Sequence, residues 1–548
     1  MASISPQTGN LTRSQAAHLL RRATFGPSKA TLDGYSGMDV DQAVESLFQA
    51  QPPAPAPPID PSTGTTFHER EELGGGTMPF VLQAYMKIWW VNNMLGSGDS
   101  ALEKIVFFLH SHFTNSANKI NLAFPLYHQN ALFRHYAYGS FKTLAKKVCR
   151  DYAMSVYLDG YTNYFTSPNE NFAREFLELY TIGKGPQIGP GNYTTYTEDD
   201  VQAAARVLTG YFPSGYLEDA QIPPEIPIQI DSDTGLYMSS VYPVIHDPFP
   251  KVFSSAFQNT IITSGSNTIP EIENELDALV NMIFNQQATA EYICRKLYRF
   301  FVYYDITQEI EDDIIQPMTT TFINSNFELV PVLKQLLKSQ HFYDTDDAQT
   351  TNNRKGAIIK SPIDFLLGAS RFFDVPLPPQ SDIVLHYNAV YVYALYSEYM
   401  DMELFESPEV AGWPAYFQEP FFNRNWINGT TLVNRFGSME NLVRGIDVVG
   451  GLYNLRLDIL DYVATPGNIT TPADPNVVVE ELTNDLFPYG ADDDKKAALK
   501  TILTDGDIDA YWTQTWIDYL GGGNELTARL RLEALIDAIL QSPEYQLL

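Results

Sequence analysis

Cysteine is nearly missing from this sequence: two residues in 548, Cys149 and Cys294. That excludes a disulfide framework and argues against zinc-finger and Cys-x-x-Cys redox chemistry. Both thiols lie in helix-like runs, LAKKVCRDY and EYICRKLYRFF, where a buried free thiol is the ordinary outcome; a single bridge between them stays open. Basic residues are scarce as well, 35 Lys and Arg against 66 Asp and Glu, which leaves a formal net charge of −31. Such a surface repels phosphate backbones and anionic lipid, so nucleic acid and membrane surfaces are not expected partners. No apolar run approaches the roughly 18 residues of a membrane span. The opening MASISPQTGNLTRSQ holds no apolar signal core. A Gly-x-Ser-x-Gly elbow, a phosphate-binding loop, a dinucleotide fingerprint and a His-Glu-x-x-His pair are also lacking. Their absence argues against the commonest hydrolase, kinase, dehydrogenase and zinc-protease classes.

What is present is apolar and aromatic. Hydrophobic residues make up 44% and charged ones only 18%, with 33 Tyr and 32 Phe, so the chain can bury a large core in more than one lobe. Helical periodicity dominates, and the predicted fold is mainly α: a large multi-helix globular protein with an irregular or short-stranded insertion. Residues 1–210 read as an N-terminal helical lobe, 211–272 as the insertion, and 273–548 as a C-terminal helical lobe packed on the first. Strands should hold fewer than about one residue in eight. The Pro-rich QPPAPAPPIDPSTG reads as an extended strap, and 374–428 as a Trp-bearing loop region. Trp413 and Trp426 there suit core or loop anchors, with sugar stacking as the alternative.

The stretch 163–212 carries the clearest local signals. Ser167-Pro168-Asn169-Glu170 fits a capping box with Ser167 at the N-cap, and Gly183 fits a left-handed helix end. A second helix should run from Thr197, with Asp200 three residues on, to Gly210, burying Val201, Ala204, Ala205 and Leu208. At roughly 100° per residue the first helix buries Phe172, Ala173, Phe176, Leu177, Leu179 and Tyr180, and turns Glu170, Asn171, Arg174, Glu175, Glu178 and Thr181 the other way.

Four groups of side chains offer chemistry. His110 and His112 would diverge on a regular helix; at a frayed helix end they would suit a divalent metal, and the structural alternative is two histidines capping carbonyls. Glu175 and Glu178, at i and i+3, share a face and suit a cation or an acid–base pair, with Arg174 their ion-pair partner if the face is only solvated. Glu170 is already committed to the cap. His246-Asp247, in a loop, suits a general base or ligand oriented by its neighbour. Asp231-Ser232-Asp233-Thr234-Gly235 lacks the ligands of a calcium loop and reads as a turn.

Separated words in order, HLLRRATFG, FLHSHF, SPNENFAREFLELYTIG with YTEDDVQAAARVLTGY, HisAsp, KLYRFFV, SPEVAGWP and SPEYQ, make the sequence resemble the domain of unknown function 1800 family over roughly residues 11–548. The resemblance implies a mostly helical bacterial protein outside the cytoplasm, often encoded beside a second uncharacterised family similar to sulfatases and phosphatases, and no established activity. One departure is HDPFPK, where relatives commonly follow HisAsp with a Gly-Lys turn. The expected function is a hydrolytic or metal-assisted enzyme with a His/Glu cleft between the SHF helix end, the NENFARE helix and the HisAsp loop. The rivals are a non-catalytic surface or scaffold protein and a carbohydrate-binding protein, and a polysaccharide or a surface protein is the open partner class.

Overall fold

Thr12 starts the first helix by a reciprocal cap. Its hydroxyl accepts from the Gln15 amide and the Gln15 side chain accepts from the Thr12 amide, ahead of helix Arg13–Ala23. Ala16, Leu19, Leu20 and Ala23 follow at helical spacing and are fully buried. The same logic repeats along the chain in this computed structural model, which describes residues 2–49, 51, 54–69, 77–214, 228–263, 265–347 and 356–548. The fold is mainly α. Every strand among the described residues is two or three residues long and belongs to a two-stranded antiparallel ribbon.

Among the described residues six of the ten strands fall between 211 and 272, where Tyr211–Phe212 pairs with Ser240–Val241, Gln229–Ile230 with Tyr237–Met238, and Lys251–Val252 with Ile261–Ile262. The Asp231 turn is a turn: its carboxylate accepts from the Thr234 amide and hydroxyl and pairs with Lys147.

The described part of the Pro-rich strap is not helical. Ala56 takes the indole N–H of Trp89 at 2.7 Å, and the Ile59 amide donates to Tyr387 at 3.3 Å. Those two aromatic residues come from helices Pro79–Leu95 and Ile383–Tyr399, which pack together. The second of these helices lies inside the region expected to be loop. IVLHYNAVYVYALYSEY spreads apolar side chains around the whole helix, so it shows no stripe to be read.

Residues 1–210 and 273–548 meet through the buried Lys104–Asp364 ion pair and the half-buried Arg13–Asp485 pair, among other contacts. Cys149 and Cys294 are free and buried. Among the described residues no helix is long and apolar enough to cross a membrane.

Candidate functional site at a widened helix end

The NENFARE helix begins later than the expected Ser167 cap. Ser167 is exposed and bridged to Tyr164, and the helix runs Asn171–Glu175. Glu170 stands at the N-cap without a side-chain cap bond, and Asn169 just before it makes a side-chain turn into the helix. Its side-chain oxygen accepts from the Asn171 amide at 2.9 Å while its own amide is held by the Asn163 side chain at 2.9 Å. Asn forms such turns more readily than Ser, which is why the helix start moved beyond Ser167. Glu170 spends its carboxylate on Arg174, one turn away at 3.1 Å.

From Phe176 to Tyr180 the helix widens into a π-turn, a feature that often marks functional sites. Phe172, Ala173, Phe176, Leu177 and Tyr180 are buried as expected, while Leu179 is only partly so. Gly183 then closes the end at φ +73, its amide donating to Leu177 at 2.9 Å. The second helix is as read: Thr197 and Asp200 form a capping box before Glu198–Val207, the four stripe residues are buried, and Gly210 follows at φ +89.

A helix leaves its last carbonyls without internal partners, and here distant segments supply them. Leu179 O accepts from Tyr292 Oη at 3.0 Å and Lys296 Nζ at 3.1 Å, both on helix Gln287–Phe301. Tyr180 O accepts from His112 Nε2 at 2.9 Å. A carbonyl only accepts, so Nε2 carries the hydrogen and Nδ1 presents a lone pair. That Nδ1 is buried and has no hydrogen-bond partner. Burial, then the charge of Lys296, pushes the His112 imidazole far down, so it stays neutral.

His110 goes elsewhere. Helix Leu102–His112 stays regular through both histidines, so they diverge as helical geometry requires. His110 packs among Trp90, Phe405 and Trp413, and its Nε2 accepts the Phe405 amide at 3.3 Å. Burial takes it down to about 3. The frayed end expected to turn the pair toward one metal is not there. Among the described residues no group of three or more His, Cys, Asp or Glu could hold a metal ion.

The two glutamates separate in character. Glu178 pairs with Lys184 and accepts from Tyr196 Oη at 2.9 Å. Arg174, the expected partner of both, reaches Glu198 and Glu170 instead. Glu175 is left partly buried, with no hydrogen bond or ion pair among the described residues, near Tyr157, Tyr180 and Tyr292. Burial first, and the charge of Glu178 second, pushes its carboxyl up to about 7. The SPEVAGWP loop closes this end: Thr114 donates to Val410 O at 2.7 Å, and Gly412, at φ +102, leaves no room for a Cβ, which would stand 2.8 Å from Ser111 O.

The HisAsp loop is bound into a different place. His246 Nδ1 faces Thr209 O at 2.8 Å, and its Nε2 lies 3.3 Å from Glu275 and 3.4 Å from Lys251. Lys251 Nζ pairs with Glu275 and donates to Asp247 O at 2.6 Å, while Asp247 accepts from Arg206 at 2.7 Å. His246, Lys251 and Glu275 are all buried. No hydrogen bond or ion pair joins His110, His112 or His246 to Glu175 or Glu178. His112 reaches the motif helix through its backbone; His110, His246 and Asp247 have their partners elsewhere. Lys251 supplies a cation a few residues after HisAsp, where HDPFPK departs from the Gly-Lys turn.

Tyr292, Lys296 and Glu275 escaped the sequence reading because each sits in an ordinary amphipathic helix. Lys296 follows EYICR, one turn before Phe300, and its only signal was a lysine adjoining an apolar face. Trp413 and Trp426 are buried in the core, as anchors rather than as sugar-stacking residues.

Fold and site together define a mainly helical protein whose polar side chains gather from three segments at the widened end of one helix. The chain belongs to the DUF1800 family, described as a protein of unknown function, whose family model matches residues 18–547. No curated protein and no solved structure matches it.

Proposed function

We propose that the protein is a hydrolytic enzyme that works outside the cytoplasm by acid–base chemistry at the end of the NENFARE helix, with Glu175 as its proton-carrying group. The observation behind this is the contrast between neighbours: Glu178 is held by Lys184 and Tyr196, whereas Glu175 has no such partner among the described residues. A carboxyl that stays protonated near neutrality beside an engaged one suits a general acid. The family resemblance and the acidic surface support the location. A metal-assisted form is not carried forward, because His110 and His112 face different partners. The second reading, a surface or scaffold protein, draws on the buried His246–Lys251–Glu275 network, in which part of the motif serves packing.

The test is a panel of chromogenic esters, phosphate and sulfate monoesters and glycosides, run with the wild type and Glu175→Gln. We expect the wild type to hydrolyse one class, and the variant, folded by circular dichroism, to lose at least ~100-fold. No hydrolysis of any class, or equal rates in both proteins, moves the assignment to the scaffold reading.

A further inference from the structure

Beside the same helix end lies a small cavity of about 30 Å³, lined by Phe108, Phe300 and Phe417 with Ser111, His112 and Lys296. It has room for a group of a few heavy atoms. Its two functional nitrogens are unusual in complementary ways. Lys296 makes no ion pair among the described residues: its Nζ rests on Leu179 O at 3.1 Å and lies 5.1 Å from the centre of the Tyr292 ring. Arg299, three residues on, adds a second positive charge. His112 has its hydrogen tied to Tyr180 O, which leaves the buried Nδ1 lone pair without a partner. A lysine kept in apolar surroundings beside another cation, with no carboxylate to hold its ammonium, is the arrangement that makes an amine nucleophilic. Burial and then Arg299 bring this amine down to about 7.

We propose that Lys296 condenses with the carbonyl carbon of a small aldehyde or ketone seated in this cavity, with the neutral His112 Nδ1 positioning the amine as a hydrogen-bond acceptor. The neutral Nζ forms the C–N bond as the carbonyl π pair moves to oxygen. One proton passes from that nitrogen to the oxygen through solvent, while the neutral Nδ1 accepts a hydrogen bond from the nitrogen, giving the carbinolamine. A further proton from solvent lets the hydroxyl leave as water while the nitrogen lone pair forms the C=N bond. The product is a protonated imine on Lys296, and no oxidant or reductant is consumed. The site goes beyond the Glu175 reading and does not depend on it.

The experiment is reductive trapping on the full chain with acetaldehyde and cyanoborohydride, followed by peptide mass mapping. At pH 7 about half of an amine titrating at about 7 is unprotonated; for an ordinary lysine the fraction is below ~0.1%, so Lys296 should be labelled at least ~10-fold faster than surface lysines. Its labelling rate should rise through an inflection near 7 in the unmodified protein, which keeps the test independent of how variants fold. Lys296→Met should abolish the fast phase, and His112→Gln should slow it without changing the labelling of surface lysines. Labelling spread over surface lysines with Lys296 no faster, or a Lys296 profile with no inflection below about 9, overturns the proposal. Unchanged Lys296 labelling in His112→Gln overturns the positioning role of His112.

Discussion

Glu175 ties the stability of the protein to pH with a sign that can be worked out. Its carboxyl, normally at 4.5, is raised to about 7 by burial and by Glu178. The folded state therefore binds this proton more tightly than the unfolded chain does. The resulting stabilisation is complete below the ordinary value and is lost as pH rises through about 7. Asp151, which caps helix Tyr152–Tyr157 from a buried position, is raised to about 7 by burial and adds the same slope. His110 and His112 act oppositely: burial depresses both, so their stabilisation is present above 6.5 and is lost as pH falls below it. A single denaturation curve mixes these effects, but a difference isolates one. The gap in unfolding free energy between Glu175→Gln and the wild type should widen in the variant's favour from pH 4.5 to 7, as measured by urea denaturation. A flat difference would mean that Glu175 titrates normally. The candidate carboxylates were legible as residue types at a helical spacing. Which of the two lacks a partner was not, because Lys184 and Tyr196 are matched to Glu178 only by the path of the chain after Gly183.

Helix ends were legible where one side chain and one amide decide them, and less so where competitors stand nearby. Thr197 with Asp200 has no rival and forms the expected box, whereas Ser167 loses to Asn169, which can make its own turn and is steadied by Asn163. Thr197→Ala should cost ~1 kcal/mol, while Ser167→Ala should stay within ~0.5 kcal/mol; thermal unfolding of the pair compares them directly. The π-turn was hidden for another reason. Spacing arithmetic assumes 3.6 residues per turn, and a widening at Phe176–Tyr180 rotates everything after it, which is how Leu179 leaves the core. Gly183 is the hinge of that ending. A Cβ there would have to tolerate φ +73 and would stand 2.4 Å from the Tyr292 ring. Gly183→Ala should therefore cost more than the ~1–2 kcal/mol of a left-handed residue alone, and it should also displace the Tyr292 hydroxyl from Leu179 O. An alanine variant as stable as the wild type would show that the end can be remade without glycine.

Across the whole molecule, words hundreds of residues apart in sequence meet, and they meet in two places rather than one. The SHF helix, the NENFARE helix, the KLYRFFV helix and the SPEVAGWP loop close around the π-turn. HisAsp instead joins the insertion to helices Glu198–Val207 and Ile269–Phe284 through Arg206, Lys251 and Glu275. The sequence order gave no sign of this division, because Glu275 reads as a surface residue of IENELDAL, although it sits at the edge of the stripe made by Ile272, Leu276 and Leu279. Its burial makes a strong demand on its partners. Removing one member of a buried ion pair leaves the other charge without compensation, whereas replacing both with apolar groups of similar size is often neutral. Glu275→Leu alone should therefore destabilise by ~3–5 kcal/mol, and Lys251→Met combined with Glu275→Leu should recover most of that loss. His246 keeps its Nδ1 contact with Thr209 but loses its Nε2 neighbours, so the cycle reports on the His246–Lys251–Glu275 cluster as a unit. Guanidinium denaturation of the two single variants and the double variant measures the coupling. If the double variant is as unstable as Glu275→Leu, the loop depends on its charges and not on filled space. If it recovers while the hydrolysis proposed for Glu175 is untouched, the HisAsp loop is a structural joint separate from the candidate site at the helix end.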